Sequence, residues 1–169
     1  MIPMKVKIKK LHKDAIIPHY AKNGDAGLDL TAVSVKNDEY GNIVYGTGLA
    51  FEIPEGYVGL VFPRSSNAKT NLYLTNSVGV IDSGYRGEVT FKYKVAHNVS
   101  SMIQFLWQKY VRKMDPMNVR VNTLAYNVHK VGDRVGQIII IPYPQIEFVE
   151  TDELSETERG DGGYGSTGR

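Results

Sequence analysis

The chain has 169 residues, 42% apolar and 22% charged, with 17 Gly and no Cys. That length suits one domain of roughly 100–200 residues, and the lack of Cys excludes disulfides, thiol catalysis and Cys-bound zinc. A formal charge of +2 gives no broad electrostatic reason to expect nucleic acid or an anionic membrane as partner.

The N-terminal stretch alternates as Lys5-Val6-Lys7-Ile8-Lys9, which predicts a half-buried strand. Its lysines also interrupt the apolar run that a signal peptide needs. Next comes Asn23-Gly24-Asp25-Ala26-Gly27-Leu28-Asp29-Leu30, two carboxylates and two glycines at the start of an apolar strand. By itself this reads first as a glycine turn with solvated acids. Gly41-Asn42, Gly46, Pro54-Glu55-Gly56 and Pro63 punctuate the following stretch at the spacing of short antiparallel strands.

Gly59 to Phe62 reads as a buried strand that runs through Pro63 into Arg64, Ser65 and Ser66. A guanidinium fork beside hydroxyls suits phosphate oxygens, although an Arg serving loop carbonyls would look the same. Asn76 to Gly87 places Asp82 and Tyr85 on a glycine-flanked turn directly after Val80 and Ile81. A carboxylate at such a strand end can orient and deprotonate water, or it can belong to an ordinary hairpin turn. Val89, Phe91, Tyr93 and Val95 then alternate with polar residues and predict another strand.

One helix breaks the pattern. Ser101 and Gln104 match a capping box, and Ile103, Leu106, Trp107, Tyr110 and Met114 recur at helical spacing until Asp115-Pro116. Gly132 to Gln137 leads into Ile138–Ile141, an aliphatic run far below the ~18 residues of a membrane span. Beyond Pro144 the chain turns acidic and then glycine-rich, from Arg159 to Gly168, which predicts a flexible arm unable to pack a core.

Several pattern matches carry no weight. Gly163 to Gly168 fits G-x-G-x-x-G but has only Arg169 after it, so no helix N-terminus could receive a pyrophosphate. Gly79 to Gly84 has phosphate-loop spacing but is followed by Tyr85-Arg86 where that loop has Lys and Ser or Thr. His12, His19, His97 and His129 lack metal-site spacing.

In this order the five segments at 23–30, 59–66, 76–87, 132–137 and 159–168 resemble the five motifs of the trimeric dUTPase family. The strongest strings are Gly79-Val80-Ile81-Asp82-Ser83-Gly84-Tyr85 and Arg159-Gly160-Asp161-Gly162-Gly163-Tyr164-Gly165-Ser166-Thr167-Gly168. The resemblance implies an all-β fold, a distorted jelly-roll β-barrel over residues 1–150 carrying a helical insertion at about 98–120. Residues 151–169 would form a C-terminal arm and active-site lid. It implies hydrolysis of dUTP to dUMP and diphosphate in a homotrimer with shared active sites, in the cytoplasm.

By the same resemblance, Asp82 matches the residue that holds the attacking water. Tyr85 matches the aromatic that stacks under deoxyribose, with Asn76, Gly79 and Ile81 lining the uracil pocket. Arg64, Ser65, Ser66 and Gln137 match the phosphate contacts. Asp29 matches the carboxylate supporting Mg2+, mostly through water. Arg159, Tyr164, Gly165 and Ser166 match the lid, with Arg159 on the terminal phosphates and Tyr164 on uracil. The chain departs from the usual pattern at Leu28, Ser66, Gly136 and Tyr164, where an aromatic, Gly, Ala and Phe are common.

Two other readings stand beside this one. Deaminases acting on dCTP share the fold and an Arg-Ser-Ser segment, but they use a Glu near the fourth motif, where this chain has Asp133, Arg134 and Gln137. Some phage members of the family carry an insertion that contacts a regulatory protein, which makes a protein partner at 98–120 the third expectation.

Overall fold

A computed structural model describes residues 4–96 and 128–163. The expected helix from Ser101 to Met114 therefore lies outside the described residues, as do Tyr164, Gly165 and Ser166. Ten strands follow in order: β1 (Lys7–Lys10), β2 (Leu28–Thr31), β3 (Ser34–Asn37), β4 (Ile43–Gly46), β5 (Leu49–Glu52), β6 (Tyr57–Phe62), β7 (Leu72–Leu74), β8 (Gly79–Ile81), β9 (Thr90–Val95) and β10 (Arg134–Pro142). A short 3-10 turn, Ser65–Lys69, is the one helical element among the described residues. No helix among them is long and apolar enough to cross a membrane.

The strands form three antiparallel sheets, β1-β5, β2-β10-β6-β8 and β3-β4-β9-β7. All three contribute to one apolar cluster, with Leu49 and Phe51 from the first, Leu30, Val61 and Ile138 from the second, and Tyr45, Leu74, Phe91 and Tyr93 from the third. The alternation read in Val89 to Val95 is the cause on the third sheet, because Phe91 and Tyr93 point inward while Lys92 between them faces water. The punctuation at Gly41 and Gly56 falls on turns with φ of 74° and 79°, a conformation that glycine adopts without steric cost. This is the jelly-roll arrangement expected of an all-β chain.

Strand β10 sits at the centre of the second sheet, paired with β2 through Gln137↔Asp29 and with β6 through Gln137↔Phe62. The β2 register slips between Arg134↔Thr31 and Gly136↔Leu30, so Val135 is an extra residue in a β-bulge. Period-two geometry would put Arg134 and Gln137 on opposite faces. The bulge restores both to the face of Asp29, because Arg134 lies opposite Thr31, two residues from Asp29. The same outer face carries Val58, Leu60, Ile139 and Val80, and Val80 is 60% exposed. A sheet apolar on both faces is ordinarily covered on both.

Candidate active site

Strand ends bring the first, second and fourth sequence segments together. Arg64 leaves β6 in extended conformation at the head of the 3-10 turn, where its Nε donates to Asp29 Oδ1 at 2.7 Å and its Nη1 to Ser66 Oγ at 3.3 Å. Arg134 Nη1 donates to the other carboxylate oxygen, Asp29 Oδ2, at 3.1 Å. One half-buried carboxylate thus holds two guanidiniums, leaving a net positive corner beside the exposed hydroxyls of Ser65 and Ser66. Gln137 reaches across to the loop, its Nε2 donating to Pro63 O at 3.2 Å. Gly27 permits that approach, since a Cβ there would strike Gln137 Oε1. Arg134 is the residue that motif reading left without a role: its place beside Asp29 depends on a bulge, which no two-residue periodicity announces.

The third segment builds a separate structure. Ser77, at a φ of 58°, makes the tight turn from β7 to β8, with its N–H donating to Leu74 O at 3.1 Å. Gly79 is packed so closely on Val61 that a Cβ would meet that side chain and stand 3.2 Å from the Asn76 amide nitrogen. Ile81 packs against the core, and Asp82 follows it into water. Tyr85 N–H closes the turn on Asp82 O at 3.0 Å, and the Tyr85 hydroxyl donates to Glu88 O at 3.1 Å. Arg86 Nη1 donates to Ser83 O at 2.6 Å and Tyr85 O at 2.9 Å, so a second arginine overlooked in the motif reading braces the loop.

Within one chain these two groups do not meet. Strands β6 and β8 run antiparallel through Val61↔Gly79, Leu60↔Val80 and Gly59↔Ile81. Arg64 lies beyond the Val61 end and Asp82 beyond the Gly59 end. Five residues of extended chain separate Gly59 from Arg64, about 16 Å. The fifth segment is self-contained over its described part, where Arg159 Nε donates to Gly162 O at 3.0 Å and Gly160 N–H to Thr157 Oγ1 at 3.1 Å.

Beside the arginine corner, His129 stands edge-on to Tyr45 and Tyr93, with ring centroids 5.7 and 5.8 Å away. Burial holds its pKa below the ordinary value, the charge of Asp133 opposing this and that of Arg64 adding to it. Among the described residues no group of three or more His, Asp or Glu could hold a metal ion. Asp29 Oδ1 and Oδ2 each accept a guanidinium hydrogen bond, an arrangement that fits an approach to a cation through water. Chemically the parts comprise a fixed pair of cations suited to phosphates and an exposed carboxylate suited to taking a proton from water.

The dUTPase family model matches residues 13–105 and 110–168. The chain belongs to the dUTPase family. Its reaction is the hydrolysis of dUTP to dUMP and diphosphate. Among its dUTPase relatives, the deoxyuridine 5'-triphosphate nucleotidohydrolase of Hydrogenobaculum sp. is 37% identical over 98% of this chain and 99% of its own length. That of Nautilia profundicola is 39% identical over 98% and 100%. Among solved dUTPases, that of Staphylococcus bacteriophage 80alpha with dUpNHpp is 29% identical, covers 98% of this chain and 99% of its own, and superposes with a TM-score of 0.72. The dUTPase from phage phi11 of S. aureus shares the fold at 23% identity and a TM-score of 0.64, covering 89% of this chain and 99% of its own. Its structure concerns the coordination of a structural Mg(II) ion in that protein. In the expected insertion at 98–120, the family model passes over residues 106–109 alone.

Proposed function

We propose that this dUTPase works as a homotrimer in which the Asp82 turn of one subunit meets the Asp29–Arg64 corner of another. The observation that carries this is the separation of Arg64 and Asp82 to opposite ends of the β6–β8 pair. A substrate whose α-phosphate met one and whose outer phosphates met the other within one chain would have to span a strand. Support for assembly comes from the apolar outer face with Val80 and from the segment after β10, where Ile146, Phe148 and Val149 are exposed, Phe148 at 89%.

In this reading a water hydrogen-bonded to the Asp82 carboxylate attacks the α-phosphorus. Asp82 accepts its proton as the bond from phosphorus to the bridging oxygen breaks and diphosphate leaves. Arg64, Ser65, Ser66 and Gln137 hold the phosphates, and Asp29 keeps Arg64 and Arg134 aimed at them. Asn76, the Gly79 backbone and Ile81 bound the uracil pocket, where cytosine, with its donor and acceptor exchanged, would leave buried groups unpaired. Arg159, Tyr164, Gly165 and Ser166, in the arm spanning 151–169, close over the nucleotide. Asp29 would help hold Mg2+ through water, and the ion would supply neutralisation of the leaving diphosphate.

Subunit mixing tests the shared site. Asp82→Asn and Arg64→Ala chains, each inactive alone, are expected to regain activity when refolded together, because roughly a quarter of the mixed sites carry both native residues. No regain would overturn the sharing. A cytoplasmic setting belongs to the same proposal. So does a regulatory partner at 98–120, favoured by the context in which the phage 80alpha structure was presented, control of virulence-gene transfer by phage dUTPases. A pull-down with residues 100–115 deleted would decide that last point.

A further inference from the structure

We propose that Gly87 is a specificity-determining residue: its missing side chain makes the seat for the Tyr85 ring that separates deoxyribose from ribose. This rests on the reading of Tyr85 as the aromatic under the sugar and adds what fixes the ring there.

Glycine at 87 is not required by the backbone. Six described glycines have positive φ and Gly87 is not among them, so an alanine could adopt its conformation. The three atoms nearest to an added Cβ all belong to Tyr85: the hydroxyl oxygen and Cζ, which it would overlap, and Cε2 at 3.0 Å. Gly84, in the same loop, has nothing within 4 Å of such a Cβ. The space that a side chain at residue 87 would take is therefore occupied first by the Tyr85 ring.

The far end of that ring is tied to a rigid frame. Its hydroxyl donates to Glu88 O at 3.1 Å, and Glu88 is itself fixed, because its carboxylate accepts from Gly48 N–H at 2.7 Å and the next residue, Val89, donates to Leu49 O at 2.9 Å. Tyr85 is 44% exposed in its own chain, so no close packing from that chain opposes a shift of the ring once a methyl group pushes it off residue 87. The ring would turn about its Cα–Cβ bond and lose the Glu88 tether. A wall that excludes a single hydroxyl group must be placed to within a fraction of that group's size. A displaced ring admits the 2'-OH without removing Asp82 or the phosphate contacts.

The test compares kcat/KM for dUTP and UTP in the full-length enzyme, its Gly87→Ala variant and a Tyr85→Ala control. The dUTP-to-UTP ratio of Gly87→Ala is expected to fall at least about tenfold, through a gain on UTP together with a loss on dUTP. A ratio within twofold of the parent, in a variant that folds and assembles, overturns the proposal. If Tyr85→Ala also leaves the ratio unchanged, the reading of Tyr85 fails. If Tyr85→Ala lowers it and Gly87→Ala does not, the seat alone fails. Should Gly87→Ala not assemble alone, it is refolded together with Asp82→Asn chains, so that every working turn carries the substitution: a lowered ratio supports the seat and an unchanged one overturns it.

Discussion

Asp29 reaches Arg134 across 105 positions of sequence, whereas the side-chain hydrogen bonds of Tyr85 and Arg86 all close within three residues. The arginine corner exists only after β2, β6 and β10 have paired in register. The Asp82 turn needs only that β8 be held at its start. Damage to the corner should therefore cost both stability and binding, while damage to the turn should cost chemistry and leave the fold standing.

The sharpest contrast is expected from Asp82→Asn. Removing the proton acceptor should lower kcat by ~10²- to 10⁴-fold, with a thermal midpoint within a degree or two of the parent, as read by diphosphate release and calorimetry. A rate near that of the parent would remove Asp82 from the mechanism. Asp29→Asn should behave in the opposite way, losing about 1–3 kcal/mol of stability as two guanidiniums lose their charged acceptor, and raising KM for dUTP more than it lowers kcat. Denaturant titration and steady-state kinetics together check this split.

Gly136→Ala probes the corner from beneath. A Cβ at residue 136 would fall onto the Phe91 ring, which is fully buried, so a loss of about 1–3 kcal/mol from overpacking is expected. An unchanged melting temperature would mean that Phe91 gives way easily. The smallest effect concerns pH. Burial lowers the pKa of His129 from 6.5, so the unfolded chain takes up the proton more readily. Stability should then decline as pH falls below about 6.5, and His129→Asn should flatten that slope. A slope identical in both proteins would exclude His129 as its source.

Much of this was legible in the sequence because it is local. The alternation at Lys5–Lys9 and Val89–Val95 marks β1 and β9, and the punctuation at Gly41 and Gly56 falls on turns, whereas Gly46 is the last paired residue of β4. Asp82 and Tyr85 could be named because one contiguous turn carries both. Arg134 could not, since its alliance with Asp29 depends on an irregularity in strand pairing that leaves no periodic trace. Arg86 escaped notice for a different reason: its acceptors are backbone carbonyls, which every residue supplies.

The bulge at Val135 makes the distance from Arg134 to Gln137 a matter of count and not only of identity. Val135 and Gly136 lie between them, and in a regular strand that spacing would turn one of the two side chains into the core. Loss of residue 135 would leave one residue between them, and the ladder could then run without a bulge through Arg134↔Thr31 and Gln137↔Asp29, losing the buried Val135 side chain but neither functional group from the phosphate corner. Across diverging copies of such a gene, a chain one residue shorter here could keep the same corner on a straighter strand.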